Sequence, residues 1–201
     1  MSGAHKPKIF FVIGPAGSGK SSVSETLASE LESVFLDKDV VCGRLTELLL
    51  EIAGTDPAGR DDNPVYQERV MDLEYQTLLA VAGDNLRLGR SVVVDAPFGR
   101  YLPDSDFLEA NSKAHGWPSA EWVVVRVAVD GSSIRERVEA RGLSRDRWKL
   151  EHWDEFWAQA SAVDCRWRGA RLLEVDNQRE GFDRAEVLDQ IKRQLADRGH
   201  D

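Results

Sequence analysis

Two patterns of apolar residues alternate along this chain. Short continuous runs lie at Lys8–Ile13 (KIFFVI), Ser33–Asp37 (SVFLD), Ser91–Ala96 (SVVVDA), Glu121–Val129 (EWVVVRVAV) and Ala170–Asp176 (ARLLEVD). Each predicts a strand. Between them, apolar positions return every three or four residues, which predicts helices. The first, Gly19–Glu32, carries Val23, Leu27, Ala28 and Leu31 on one face. The second, Val40–Ala53, carries Val41, Leu45, Leu48, Leu49 and Ile52. Pro64 opens a third, running to about Leu88 with Met71, Tyr75, Leu78, Leu79, Ala82 and Leu86 inward. Further helices are predicted at Asp106–Ala114, at Ser132–Ala140 with Asp130 as its cap, at Arg145–Ala160 and at Arg184–Ala196. Trp153 and Trp157 share one face of the Arg145–Ala160 helix, a spacing that suits packing.

Strands that are apolar throughout and alternate with helices are the pattern of an α/β fold, with a parallel sheet covered on both faces. No repeat, low-complexity tract or long linker divides the 201 residues, so one domain spanning 1–201 is expected. Such sheets bind ligands beyond the carboxyl ends of their strands. That directs attention to Gly14–Ser21, Asp37–Asp39, Asp95–Arg100, Asp130 and Asp176–Asn177.

The first of these stretches, Gly14-Pro-Ala-Gly-Ser-Gly-Lys20-Ser21, fits G-x-x-x-x-G-K-[ST] between a strand and a helix. Glycines let successive amides converge on one anion, and the next helix aims its N-terminal dipole at the same point. Lys20 adds a cation for the β- and γ-phosphates, and Ser21 offers a hydroxyl to Mg²⁺. The pattern reads as a holder for a nucleoside triphosphate tail.

Charge narrows the partners. The net charge is −9, which argues against a long nucleic-acid polymer. Glu47, Glu51, Asp56, Asp61 and Asp62 suit a cationic acceptor such as an amino sugar, or else form a wet surface. The two cysteines, Cys42 and Cys165, have no metal-type spacing and fit a reducing cytosol. No run reaches membrane-spanning length, so no membrane partner and a cytoplasmic location are expected. No N-K-x-D signal for guanine is present, no glutamate follows Asp95, and the chain is short for a motor with a helical appendage. These disfavour a GTPase, a multisubunit ATPase and a AAA-type motor.

On "FLDKD", "SVVVDAPFGR" and "RERVEARGLSRDRWK", together with the glycine-rich loop, the chain resembles the small P-loop kinases that move a γ-phosphate to a hydroxyl. These include gluconate, shikimate and adenylylsulfate kinases, the polynucleotide 5′-kinase domain, zeta toxins and chloramphenicol phosphotransferase. The resemblance implies a P-loop NTPase fold with five parallel strands in the order 2-3-1-4-5. It also implies a helical lid near residues 135–160 and an acceptor-covering region near 40–70. ATP and Mg²⁺ would be the cofactors. Gly14, Ala16, Gly17, Ser18, Gly19, Lys20, Ser21 and Ser22 would hold ATP, with Arg137, Arg141 and Asn177.

Asp39 would be the general base, a carboxylate aligned on the attacking hydroxyl. Asp37 would help hold Mg²⁺ or orient the site, unless it only ends its strand and Asp39 only caps the next helix. Asp95 would stand by Mg²⁺ or against the acceptor, with Asp37, Asp39, Arg44 and Arg100 as further acceptor residues. Arg145 and Arg147 would belong to the lid. Cys42 stands where polynucleotide-kinase relatives have an arginine, with Arg44 displaced, which weakens the 5′-hydroxyl reading. A small-molecule hydroxyl acceptor, an antibiotic or other secondary metabolite among them, is therefore the leading expectation. A nucleotide or nucleic-acid kinase, and a regulatory nucleotide-binding module without transfer, are the alternatives.

Overall fold

The computed structural model describes residues 6–162, 164–178 and 182–196, and its strands lie where the apolar runs fall. They are β1 (Lys8–Ile13), β2 (Val34–Asp37), β3 (Val92–Asp95), β4 (Glu121–Ala128) and β5 (Ala170–Asp176). All pair in parallel, in the order β2-β3-β1-β4-β5. This is the expected order. The helices are α1 (Lys20–Glu30), α2 (Lys38–Ile52), α3 (Met71–Arg87), α4 (Phe107–Ala114), α5 (Gly131–Arg141), α6 (Arg147–Glu151), α7 (Trp153–Ala162) and α8 (Arg184–Ala196). Among the described residues, no helix is long and apolar enough to cross a membrane.

Side chains alternate across a strand, so one apolar run feeds two cores. Phe10 and Val12 meet Val93, Val125 and Leu173 on the face covered by α1 and α8. Ile9, Phe11 and Ile13 meet Val92, Val94 and Val124 on the face covered by α3 and α4. Phe11 is fully buried and packs edge-on against Phe98 and Trp167. Truncating such a side chain to alanine costs about 3–5 kcal/mol. Phe98 itself holds φ at 56°, a region that disfavours side chains. Its ring is locked among Phe11, Tyr75, Phe107 and Trp167, and its amide donates to the Tyr75 hydroxyl at 3.2 Å. This fixes the turn that carries Pro97 and Arg100 away from β3.

The structure departs from the pattern in three places. First, Leu45, Leu48, Leu49 and Ile52 do not face the core; they are exposed. The buried side of α2 is Lys38, Cys42, Gly43, Thr46 and Leu50, because a buried carboxylate on α3 recruits Lys38 and Thr46. Second, the helix opened by Pro64 widens into a π-helical segment, Tyr66–Val70, before α3. Asn63 caps its start, accepting from the amides of Val65 and Tyr66. Third, the single helix expected over Arg145–Ala160 is a 3₁₀ turn, Ser144–Asp146, followed by α6 and α7. The backbone leaves the helical region at His152, whose ring stacks on Trp148.

Candidate active site

The loop from Gly14 to Gly19 connects β1 to α1 at the carboxyl edge of the sheet. Gly17 and Gly19 take φ near 86° and 88°, and neither has room for a side chain. A Cβ on Gly17 would meet Val138 of α5 at 2.7 Å, and one on Gly19 would run into the Asn177 side-chain amide. Asn177, just past β5, donates to the Ser18 carbonyl at 2.8 Å and so fastens the loop to the far side of the sheet. No side chain caps α1 and no acid stands in its first turn. Its free amides therefore offer an anion their full field. Lys20 folds its ammonium onto the Pro15 carbonyl at 2.9 Å. Burial pushes its pKa below the ordinary lysine value, and the nearby Asp95 only partly opposes this. Such a cation gains from a bound polyanion.

Three carboxylates face this loop. Parallel register sets Asp37 beside Asp95 across β2 and β3, and Asp95 beside Val12 of β1. Asp95 is buried, and burial raises its pKa despite the nearby Lys20 ammonium and Ser21 hydroxyl. Among the described residues its Oδ2 atom has no hydrogen-bond partner. A buried carboxylate oxygen left without a donor, beside a serine hydroxyl, suits a hard divalent cation. Asp37 caps α2, its Oδ1 accepting from the amides of Asp39 and Val40 at 2.7 and 3.1 Å. Asp39 lies in the first turn of α2. Burial works against its charge, but Lys38 at 3.3 Å and Arg145 at 2.6 Å outweigh it and hold its pKa below the usual aspartate value.

Beside Asp39 lies a network that the sequence did not announce. Glu74 of α3 is buried and accepts from Lys38 (2.7 Å), Thr46 (2.5 Å), Arg60 (3.0 Å) and the Tyr66 hydroxyl (2.7 Å). The π-helical widening is where Tyr66 enters this set, in line with the frequent use of such bulges at functional sites. Burial opposes the Glu74 charge, yet Lys38 and the hydrogen bonds hold its pKa below normal. The Lys38 ammonium, opposed by burial too, is held above normal by Glu74 and Asp39.

The segment that the resemblance reads as a lid crosses over from the other side. Gly142, in the left-handed region, ends α5. Arg141 grips the buried Asp146 through two nitrogens, at 2.6 and 2.7 Å. Arg137 donates to the Asn177 carbonyl. Beyond the turn, Arg145 meets Asp39 at 2.6 Å, Arg147 meets Asp56 at 3.4 Å and Lys149 meets Asp61 at 2.6 Å. The acids of the 54–64 loop are thus largely taken up by lid cations. A smaller cavity of about 500 Å³ lies between this loop and the lid, with Asp62 and Arg147 on its wall. Trp153 and Trp157 stack within the lid, and Trp157 abuts Gly131.

A cavity of about 620 Å³ joins these parts, bringing Lys20, Ser21, Asp37, Asp39, Asp95, Arg100, Arg141 and Arg145 to one space. Arg44 is not brought there. It sits on the exposed side of α2 with Glu47 and Glu51, since the opposite side is turned to Glu74. Asn177 and, through it, Arg137 brace the loop from behind, and neither they nor Ser22 line the cavity. Sequence reasoning missed Glu74, Lys38, Arg60 and Arg126. Only Arg126 left a signal, as a charge inside an otherwise apolar strand. Among the described residues, no group of three or more histidines, cysteines or acids is placed to hold a metal ion by itself. Mg²⁺ ordinarily takes one or two carboxylates and completes its shell with phosphates and water, so this is compatible with it.

A sequence model of the AAA domain family matches residues 9–163. No curated protein matches the chain in sequence. Solved structures resemble it in fold. A protein described as a kinase from Chloroflexus aurantiacus is 20% identical, with 95% of this chain and 100% of that chain covered and a TM-score of 0.67. A sugar kinase from Janibacter is 13% identical, with 94% and 95% covered and a TM-score of 0.63. Shikimate kinase from Bacteroides thetaiotaomicron is 14% identical, with 94% and 97% covered and a TM-score of 0.53. The shared architecture is the P-loop kinase fold.

Proposed function

We propose, from the premise that the chain belongs to the AAA domain family, that it is an ATP- and Mg²⁺-dependent phosphotransferase. It moves the γ-phosphoryl group to a hydroxyl of a small molecule, with antibiotics and other secondary metabolites among the acceptors it would take. One observation carries this reading. A single cavity presents the phosphate loop, through Lys20 and Ser21, to an ionised carboxylate, Asp39.

In this reading the amides of the loop and of the α1 N-terminus hold the triphosphate, and Lys20 neutralises its outer oxygens. Ser21 and Asp95, with Asp37 nearby, would hold Mg²⁺, which supplies charge for the β- and γ-phosphates. Asp39 orients the acceptor hydroxyl and takes its proton as the oxygen–phosphorus bond forms and the bond to the β-phosphate oxygen breaks. A carboxylate of low basicity suits a loose transfer in which the proton leaves late. Arg141 lines the cavity and, released from Asp146, can reach phosphoryl oxygens through its two-nitrogen fork. The lid excludes water. The two free thiols, Cys42 and Cys165, support a reducing, cytoplasmic setting.

The test is a mass-spectrometric screen of alcohols, sugars, nucleosides and antibiotics for gain of one phosphoryl group. Lys20→Ala is expected to abolish transfer. Asp39→Asn is expected to keep ATP affinity and lose turnover by about 10²- to 10⁴-fold. Equal turnover by Asp39→Asn and wild type removes Asp39 from the mechanism.

A further inference from the structure

Arg126 is a charge inside the otherwise apolar middle of a strand. It lies on β4, an inner strand of the sheet, paired in register with Ile13 of β1 and Glu174 of β5. Strand alternation puts it on the same face as Trp122 and Val124, the face whose core includes Phe11, Trp117 and Trp167. It is half-buried, and among the described residues it meets a carboxylate only at 3.7 Å, from the exposed Asp164. A guanidinium held against an apolar core without close pairing is costly. A violation of the local pattern of this kind is expected at a functional position.

Its surroundings say what function. Arg126 lines the same cavity as Lys20 and Asp39, in company with Met71, Tyr75 and Leu102. Arg100, on the loop fixed by Phe98, lines it too. Arg100 donates to the Gln67 carbonyl at 2.7 Å and has no ion pair among the described residues. The other cations of that wall are already engaged. Lys38 and Arg60 serve Glu74, Arg145 serves Asp39, and Lys149 serves Asp61 and Asp146. Arg100, without an ion pair among the described residues, and Arg126, met only by Asp164 at 3.7 Å, are thus the least neutralised cations on the acceptor side of the cavity. We propose that the acceptor carries an anionic group, a carboxylate or a phosphate monoester, which Arg126 binds, with Arg100 at the mouth drawing it in. This rests on the phosphotransferase reading and gives its acceptor a class. The hydroxyl to be phosphorylated and an acid group belong to one small molecule.

The experiment measures thermal shifts of the full chain with Mg²⁺ and a non-hydrolysable ATP analogue, using matched probes. D-gluconate is set against D-glucitol, D-ribose 5-phosphate against D-ribose, and D-glucosamine serves as the cation. At least one anionic probe is expected to raise Tm where its neutral partner does not, and which pair responds separates carboxylate from phosphate. Arg126→Gln is expected to weaken that probe's binding about 10- to 100-fold, the range for losing a hydrogen-bonded charge, with the analogue's own shift unchanged. Arg126→Lys should recover part of the loss. The inference is overturned if no anion shifts Tm, if the neutral or cationic probes match the anions, or if Arg126→Gln binds the anion as wild type does. Failure of the underlying reading shows separately, as no shift from the analogue alone, and it takes this inference down with it.

Discussion

Glu74 is the residue on which one wall of the cavity is assembled, because one buried carboxylate sets the places of Lys38, Thr46, Arg60 and Tyr66. Removing one partner of a buried ion pair strands the other, at about 3–5 kcal/mol. Glu74→Gln is therefore expected to lower unfolding stability by about that much at neutral pH, read by denaturant titration. The sign with pH follows from the shift. The folded pKa of Glu74 lies below its ordinary value of 4.5, so its contribution is present above that value and is lost as pH falls through the folded pKa. The gap between variant and wild type should narrow as pH falls below 4.5. A gap that does not narrow anywhere on acidification, while both proteins stay folded, contradicts the assignment. Gly14–Ser21 was legible from eight adjacent residues because its chemistry is local. Glu74 was not legible: its donors lie 36, 28, 14 and 8 residues away in the chain, and nothing in the helical pattern marks which glutamate turns inward.

At the scale of elements, α1, α3 and α8 follow their apolar spacing, whereas α2 is inverted by the pull of Glu74 on Lys38 and Thr46. Periodicity reads which residues share a face. It does not read which face wins when a buried charge competes with leucines. The lid shows the same limit. It breaks at His152, and its pairs to Asp39, Asp56 and Asp61 join segments roughly 90 to 110 residues apart. These pairs make the docking of this segment salt-sensitive. Arg147–Asp56 is well exposed, while Lys149–Asp61 is sheltered. Exposed pairs contribute about 0.2–1 kcal/mol and are screened by salt. Raising salt from about 0.05 to 0.5 M is expected to speed amide exchange over residues 144–162 by about two- to fivefold, with the strands unchanged. Exchange in the lid that ignores salt removes the ion pairs as its fastening.

For the whole molecule, the alternation of apolar runs and helices was enough to read a parallel sheet with two covered faces and a ligand edge. The strand order came from the likeness to P-loop kinases, and the structure has that order. The architecture explains why the site lies where it does. The sheet delivers Gly14, Asp37, Asp95 and Asn177 to one edge, and the helices on the α3 face bring Glu74 and its partners up beside them. The lining of the cavity was not legible, because side chains such as Arg60, Arg100 and Arg126 converge only in three dimensions. Everything turns on whether that edge holds a triphosphate. Calorimetric titration of the folded chain with ATP in excess Mg²⁺ tests this most directly. Saturable uptake of one nucleotide per chain, lost in Lys20→Ala, is the predicted result. No heat of binding from wild-type protein whose fold is verified would contradict the account.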